Sequence, residues 1–254
     1  SHGIGITVSL DNMCGIYGSS SLDKFNKLHD INITRGSFAT SHVLIDINDN
    51  VSITKNKGNV RYDDYKDTDI ISTSKIKLYL GHTQAPTGCV RNFTPDTSHP
   101  FTTGEWIVAH NGIINNYKSI IDKYIPQHKC EVDSSIIPVL LDKICNDTII
   151  RDEHNDEYIS TSHENIIKHV LGLLTGIYAV FIYNTITNIL YIARSGSTLF
   201  YNDTTLYYND NELCFSSVPC DKLSILPEHV LHKLEGNNLI PIIELKNTSS
   251  FITF

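Results

Sequence analysis

Basic residues are scarce in this 254-residue chain, with 20 Lys and Arg against 28 Asp and Glu and a formal charge of -8 at neutral pH. No basic run or face-forming surplus is present to neutralise a phosphate backbone, which argues against direct nucleic-acid binding. Long apolar runs are also missing. None approaches the roughly 18 to 20 residues of a membrane span, and the first twelve residues lack the basic start and apolar centre of a secretion signal. The cytosol is the expected compartment. The six cysteines include no CxxC pair and no zinc-motif spacing, which fits a reducing environment. The twelve histidines form no HxH or HExxH pattern. No metal site is therefore expected, and His82, His99 and His110 read as structural imidazoles. Alanine occurs only 5 times against 35 Ile and 22 Asn, a bias in keeping with AT-rich coding.

What remains is ample for a core, since 41% of residues are hydrophobic. Residues 1–13 precede Met13-Cys14 with a Ser1-His2 start and read as a tag or a propeptide; residues 14–254 read as one domain. CGIYGSS from Cys14 has the pattern of a short buried strand, followed by an amphipathic stretch at 22–29. Further strand patterns lie at 42–47, 51–54, 76–81 and 105–110. Helices are predicted at 116–125, at about 134–145 and at 163–173, where Thr161 and Glu164 have capping-box spacing. Beyond them GIYAVFIYN, ILYIARSG, LFYN, TLYYN and LCFSS alternate with turn residues, the pattern of an antiparallel meander. Strands, then helices, then strands predict a layered α+β fold.

Two groups of residues have chemical potential. If Cys14 became the first residue, it would unite a thiol with a free α-amine of pKa about 7.7–8.0, close enough to neutrality to take the thiol proton. The alternative is a small residue buried in a first strand. In Trp106-Ile-Val-Ala-His110-Asn111-Gly112, an apolar strand runs into Asn-Gly before a helix start. Asn-Gly is a common turn. It also suits an oxyanion hole, with the Asn111 amide and the Gly112 N–H aimed at an oxygen that gains charge.

MCGIYG at 13–18, Arg35-Gly36, Gly81-His82-Thr83 with Thr87-Gly88, Ser98-His99-Pro100-Phe101, AHNGIINNY at 109–117, Asp133 before a helix, GIYAVFIYN at 176–184 and ARSGSTLF at 193–200 occur in that order. Together they resemble the glutaminase domain of class II glutamine amidotransferases, within the N-terminal nucleophile hydrolases, and especially the glutaminase half of glucosamine-6-phosphate synthase. The resemblance runs over about 14–235 and implies a four-layer αββα sandwich that needs no cofactor. It implies Cys14 as nucleophile, Asn111 and Gly112 as the oxyanion hole, and Asp133 as the carboxylate that binds the α-amino group of glutamine. An N-cap role for Asp133 is the alternative. Arg35 is read either as a substrate contact or as half of a structural ion pair.

One departure concerns the α-carboxylate. Family members carry an Arg two residues after the His of the GHTR-like motif, where this chain has Gln84. Thr87 keeps a carboxylate-binding position, and Arg91 in the same loop is the candidate substitute or else an exposed loop residue. A neutral Gln84 is expected to weaken glutamine binding about 10- to 100-fold. The resemblance further implies ammonia released to an acceptor enzyme, expected here to be a separate synthase subunit because the chain ends about twenty residues after the match. Two rival readings are a stand-alone amidohydrolase acting on a γ-glutamyl or other amide, and a catalytically silent regulatory subunit. With residues 1–13 attached, Cys14 has no free amine and catalysis is not expected.

Overall fold

Period-two alternation in the strands gives each of two sheets an apolar inner face, and helices cover the outer faces. The computed structural model describes residues 14–68, 75–85, 92–129, 131–146, 162–202 and 211–249. The first sheet contains β1 (Gly15–Ser19), β2 (Ala39–Asp46), β3 (Val51–Lys57), β4 (Ile76–Gln84), β9 (Phe200–Tyr201), β10 (Cys214–Ser216) and β11 (Ser224–Ile225), in the order β11-β9-β10-β1-β4-β2-β3. The second contains β5 (Phe101–Thr103), β6 (Trp106–Ile114), β7 (Gly176–Asn184), β8 (Ile189–Ser195), β12 (Val230–Glu235) and β13 (Asn238–Glu244), in the order β13-β12-β8-β7-β6-β5. Neighbouring strands are antiparallel.

Ile16, Val43, Leu80 and Phe215 of the first sheet meet Ile107, Ala109, Phe181 and Ile192 of the second in the central core. Helix α1 (Leu22–Asn32) lays Phe25 and Leu28 over Tyr17, Leu44 and Tyr79 on the outer face of the first sheet. On the outer face of the second, α3 (Ile136–Asn146) and α4 (His163–Leu173) bury Ile137, Leu141, Ile167 and Val170 against Trp106, Val108 and Val180; α2 (Tyr117–Tyr124) adds Ile120. Each such buried side chain contributes about 1.5–3 kcal/mol. The result is the four-layer αββα sandwich expected for an α+β chain. No helix among the described residues is long and apolar enough to cross a membrane.

Three local expectations are corrected. Asn111-Gly112 is no turn, because β6 continues through both residues to Ile114, paired residue by residue with β7. The meander is divided: β7 and β8 form a hairpin in the second sheet, whereas β9 and β10 cross to the first and reach β1. The TLYYN segment lies outside the described residues. At α4 the Ser162 hydroxyl accepts from the Asn165 N–H at 3.3 Å, and Glu164 accepts from the Tyr191 hydroxyl at 3.0 Å; Thr161 lies outside the described residues. Finally, the β12–β13 hairpin has no counterpart in the sequence reading, since β13 is largely exposed and its alternation is weak.

Behind β2, His42 bonds the Tyr65 hydroxyl through Nδ1, and burial lowers its pKa to about 3; burial lowers His82 in β4 to about 3 as well. Both lie below the unfolded value of about 6.5, so the unfolded chain binds more protons between these limits. Stability should be complete above about pH 6.5 and fall as pH drops toward 3. Urea unfolding across this range should show a decline that His42→Gln makes shallower; an unchanged slope in that variant would contradict the assignment.

Candidate active site

β1 begins at the edge of the site. Ile16 faces the central core and Tyr17 the α1 side, so strand alternation puts Cys14 on the face directed toward the second sheet. Cys14 is half-buried and outside any disulfide. The backbone beside it is tightly packed, since a Cβ on Gly15 would lie 2.7 Å from Asn32 Oδ1 and 2.8 Å from Thr83 Oγ1. Ser217, just past β10, brackets this strand end: its N–H donates to the Ile16 carbonyl at 2.8 Å, and its hydroxyl accepts from the Ile16 N–H at 3.0 Å.

The same hydroxyl meets the second sheet. Asn111 follows Ile107 and Ala109 on the inner face of β6, is 0% exposed, and donates through Nδ2 to Ser217 Oγ at 3.3 Å. Its Oδ1 is buried without a hydrogen-bond partner among the described residues. Gly112 follows with φ of +149°, where an added Cβ would stand 2.1 Å from the Ile177 carbonyl oxygen. Only glycine fits both the conformation and the space.

On the opposite face of β6, His110 Nδ1 bonds Ser134 Oγ at 2.7 Å. Burial lowers the His110 pKa, with Asp133 opposing the shift. Asp133 opens the short 3-10 turn Asp133–Ser135 before α3. Its carboxylate accepts from the Ile114 N–H at 2.7 Å and the Ser134 N–H at 2.8 Å, which fixes it beside the Asn-Gly segment and leaves it half-buried. Asp133 therefore holds a strand and a helix start together, without giving up all its lone pairs. His82 stacks on His99 with ring centroids 3.9 Å apart and bonds the His110 backbone, so these rings pack the floor between β4 and β6.

Arg35 comes in from the turn after α1. Gly36 lies flat on the end of β4, where a Cβ would be 2.4 Å from Ala85 backbone atoms, and this close approach aims Arg35 at the site. Arg35 Nη2 donates to Thr198 Oγ1 at 2.8 Å and to the Ser217 carbonyl at 3.0 Å. Nη1 is buried without a hydrogen-bond partner, and no carboxylate pairs with the group among the described residues. Burial lowers the Arg35 pKa, and the nearby Cys14 thiol group opposes that shift. Gln84 sits buried at the end of β4, opposite Ala39, and its Oε1 has no partner among the described residues. Thr87 and Arg91 lie outside the described residues.

The structure thus joins Asn111, Arg35 and the Ile16 backbone near Cys14 at Ser217, places Gly112 next to Asn111, and fixes Asp133 at the Ile114 end of β6. Sequence reading missed Ser217 and Thr198. Both were visible only as the last residue of LCFSS and one hydroxyl in ARSGSTLF, and nothing local marks either as a junction.

No protein-family model matches the chain. It is 29% identical over 179 residues to glutamine–fructose-6-phosphate aminotransferase (isomerizing) of Methanococcus maripaludis, covering 68% of this chain and 28% of that protein. Over 70 residues it is 39% identical to 7-cyano-7-deazaguanine synthase of Saccharolobus solfataricus, covering 28% of this chain and 15% of that one. The chain therefore spans less than a third of these relatives. Among solved structures, the allosteric regulatory enzyme of purine biosynthesis superposes with a TM-score of 0.65 at 17% identity, over 90% of this chain and 48% of that one. A class-II glutamine aminotransferase domain protein from Silicibacter pomeroyi gives 0.53 at 12% identity, over 94% and 100% of the two chains.

These likenesses, with two facing antiparallel sheets between helical layers, define the fold as that of the N-terminal nucleophile hydrolases. Within that fold the chain is similar to class II glutamine amidotransferase domains and, in sequence, to part of the fructose-6-phosphate aminotransferases.

Gly112→Ala should strain β6 against β7 and destabilise the domain by about 1–3 kcal/mol, read from urea denaturation. Wild-type stability in that variant would mean that β6 does not hold this conformation.

Proposed function

We propose that the domain hydrolyses the side-chain amide of glutamine with Cys14 as nucleophile. In this mechanism Cys14 is the first residue of the mature enzyme, so residues 1–13 must be absent from the active form. The α-amine takes the thiol proton, directly or through water, and the thiolate attacks the amide carbon. The carbonyl oxygen becomes an oxyanion held by the Asn111 side-chain N–H and the Gly112 backbone N–H. Collapse breaks the C–N bond, the amine's proton passes to the departing ammonia, and a Cys14 thioester remains. Water then attacks the thioester, returning the thiol and releasing glutamate.

The observation that carries this reading is the convergence on Ser217: one hydroxyl touches both β1, which follows Cys14 directly, and the Asn111 amide. This contact supports a nucleophile and an oxyanion donor acting from opposite sheets on one substrate. Arg35 adds positive charge beside the thiol and favours the thiolate. Its buried Nη1 also offers the charged donor for the substrate α-carboxylate that Gln84 lacks, with Thr87 and Arg91 as further carboxylate contacts implied by the family resemblance. Asp133 retains acceptor capacity for the α-amino group. Ammonia would pass to a separate acceptor synthase in the cytosol, one that amidates a sugar phosphate, a nucleotide or a modified base; the match to a deazaguanine synthase favours the last class.

A second reading, hydrolysis of a γ-glutamyl or other amide, is favoured by the neutral Gln84 at the carboxylate end. Protein beginning at Cys14 should release glutamate from glutamine, and Cys14→Ala should abolish release. Asn111→Ala should lower kcat by about 10²- to 10³-fold. Arg35→Met should raise KM for glutamine by about 10- to 100-fold. Release confined to another amide would transfer the assignment to the second reading. No release from any amide would contradict both and leave a regulatory subunit.

A further inference from the structure

At the other end of β6 from Asn111, five residues and so about 17 Å along the strand, three side chains from three different elements converge. Glu105 stands in the turn between β5 and β6, Cys145 in the last turn of α3, and His163 is the first residue of α4. Cys145 Sγ lies 3.2 Å from Glu105 Oε1, His163 Nε2 lies 3.2 Å from the same oxygen, and Sγ lies 4.0 Å from Nε2. All three side chains are half-buried.

A tetrahedral zinc ion has bonds of about 2.3 Å to thiolate sulfur and about 2.0–2.2 Å to imidazole nitrogen and carboxylate oxygen, which sets the ligand atoms about 3.3–3.6 Å apart. The three separations here bracket that range. Shifts of a few tenths of an ångström would bring every atom to bonding distance. We infer that Glu105, Cys145 and His163 form a divalent-metal site suited to zinc, with the fourth position open to water.

The donor set of thiolate, imidazole and carboxylate suits zinc better than the all-oxygen cations magnesium or calcium. The surroundings hold the ligands in place. The Glu105 carbonyl accepts from the Thr185 N–H at 2.9 Å and from its hydroxyl at 3.3 Å, which pins the turn. The His163 ring packs edge-on against Trp106, with centroids 5.1 Å apart and planes at 76°. Cys145 lies at the C-terminal end of α3, where the helix dipole favours a cation. An ion here would tie the end of α3, the start of α4 and the β5–β6 turn into one unit. Separations of 40 and 18 residues to Cys145 match no zinc motif, so sequence spacing gave no reason to expect it. Without metal, the same atoms form a hydrogen-bonded triad in which the thiol and the imidazole both donate to Glu105.

The test uses the full chain, freed of metal with a chelator and titrated with zinc chloride or cobalt chloride. Metal binding at this site predicts one equivalent retained after gel filtration, a thiolate-to-cobalt charge-transfer band, and a thermal midpoint raised by zinc. Cys145→Ser should remove the band and weaken binding by at least about tenfold. Glu105→Gln keeps the side-chain shape and folding, and should also weaken binding. Cys14→Ala should leave the band intact, which separates this site from the proposed nucleophile. A folded wild type that retains no metal would overturn the inference. So would a band that survives Cys145→Ser and Glu105→Gln, or one that disappears with Cys14→Ala.

Discussion

Face-to-face packing of two antiparallel sheets is the constraint on which the arrangement depends. Their inner faces are closed by Ile16, Val43 and Leu80 on one side and Ile107, Ala109 and Phe181 on the other. Because side chains alternate, this core fixes the register of β6 to the residue. Trp106, Val108 and His110 must face the helices, while Ile107, Ala109 and Asn111 face the other sheet. A slip of one position would place His110 at the site and bury Asn111 beneath α3. The apolar half of β6 thus determines where its polar half points.

The site is a continuation of this core at the point where apolar residues give way to polar ones. Ser217 serves four groups at once: the Ile16 backbone, the Asn111 amide and, through its carbonyl, the Arg35 guanidinium and the Thr198 hydroxyl. Buried polar networks of this kind are worth their desolvation only if most members are satisfied. Asn111 Oδ1, Gln84 Oε1 and Arg35 Nη1 remain buried without partners among the described residues, and all three lie around the proposed reaction centre. A bound amino acid is the kind of ligand that supplies what they lack: a carboxylate for the guanidinium and donors for the amide oxygens.

The proposed chemistry is suggested by residues close together along the chain. Met13-Cys14-Gly15 would give an N-terminal thiol if Cys14 became the first residue, and His110-Asn111-Gly112 offers a donor pair, because each is a contiguous unit. α4 runs over the expected 163–173 because its apolar period and N-terminal hydroxyls are local signals. Where long-range pairing decides, local signals misled. Asn-Gly favours a turn, yet pairing with Ala179 and Tyr178 keeps the strand straight through it. The strands after β8 look like one meander, but β9 and β10 cross to the other sheet to close on β1. Ser217 and Thr198 gain their roles from Arg35, more than 160 positions away, so no window of sequence could single them out. The same holds for Glu105, Cys145 and His163.

The central claim is that Cys14, with its own α-amine as base, is the nucleophile toward a glutamine amide. Intact-mass analysis of protein beginning at Cys14, after incubation with a glutamine-analogue affinity label, tests it most directly. The account predicts one label per chain, located on the Cys14 sulfur by peptide mapping and displaced by excess glutamine. A folded protein that takes up no label, or takes it up on a different cysteine, would contradict it.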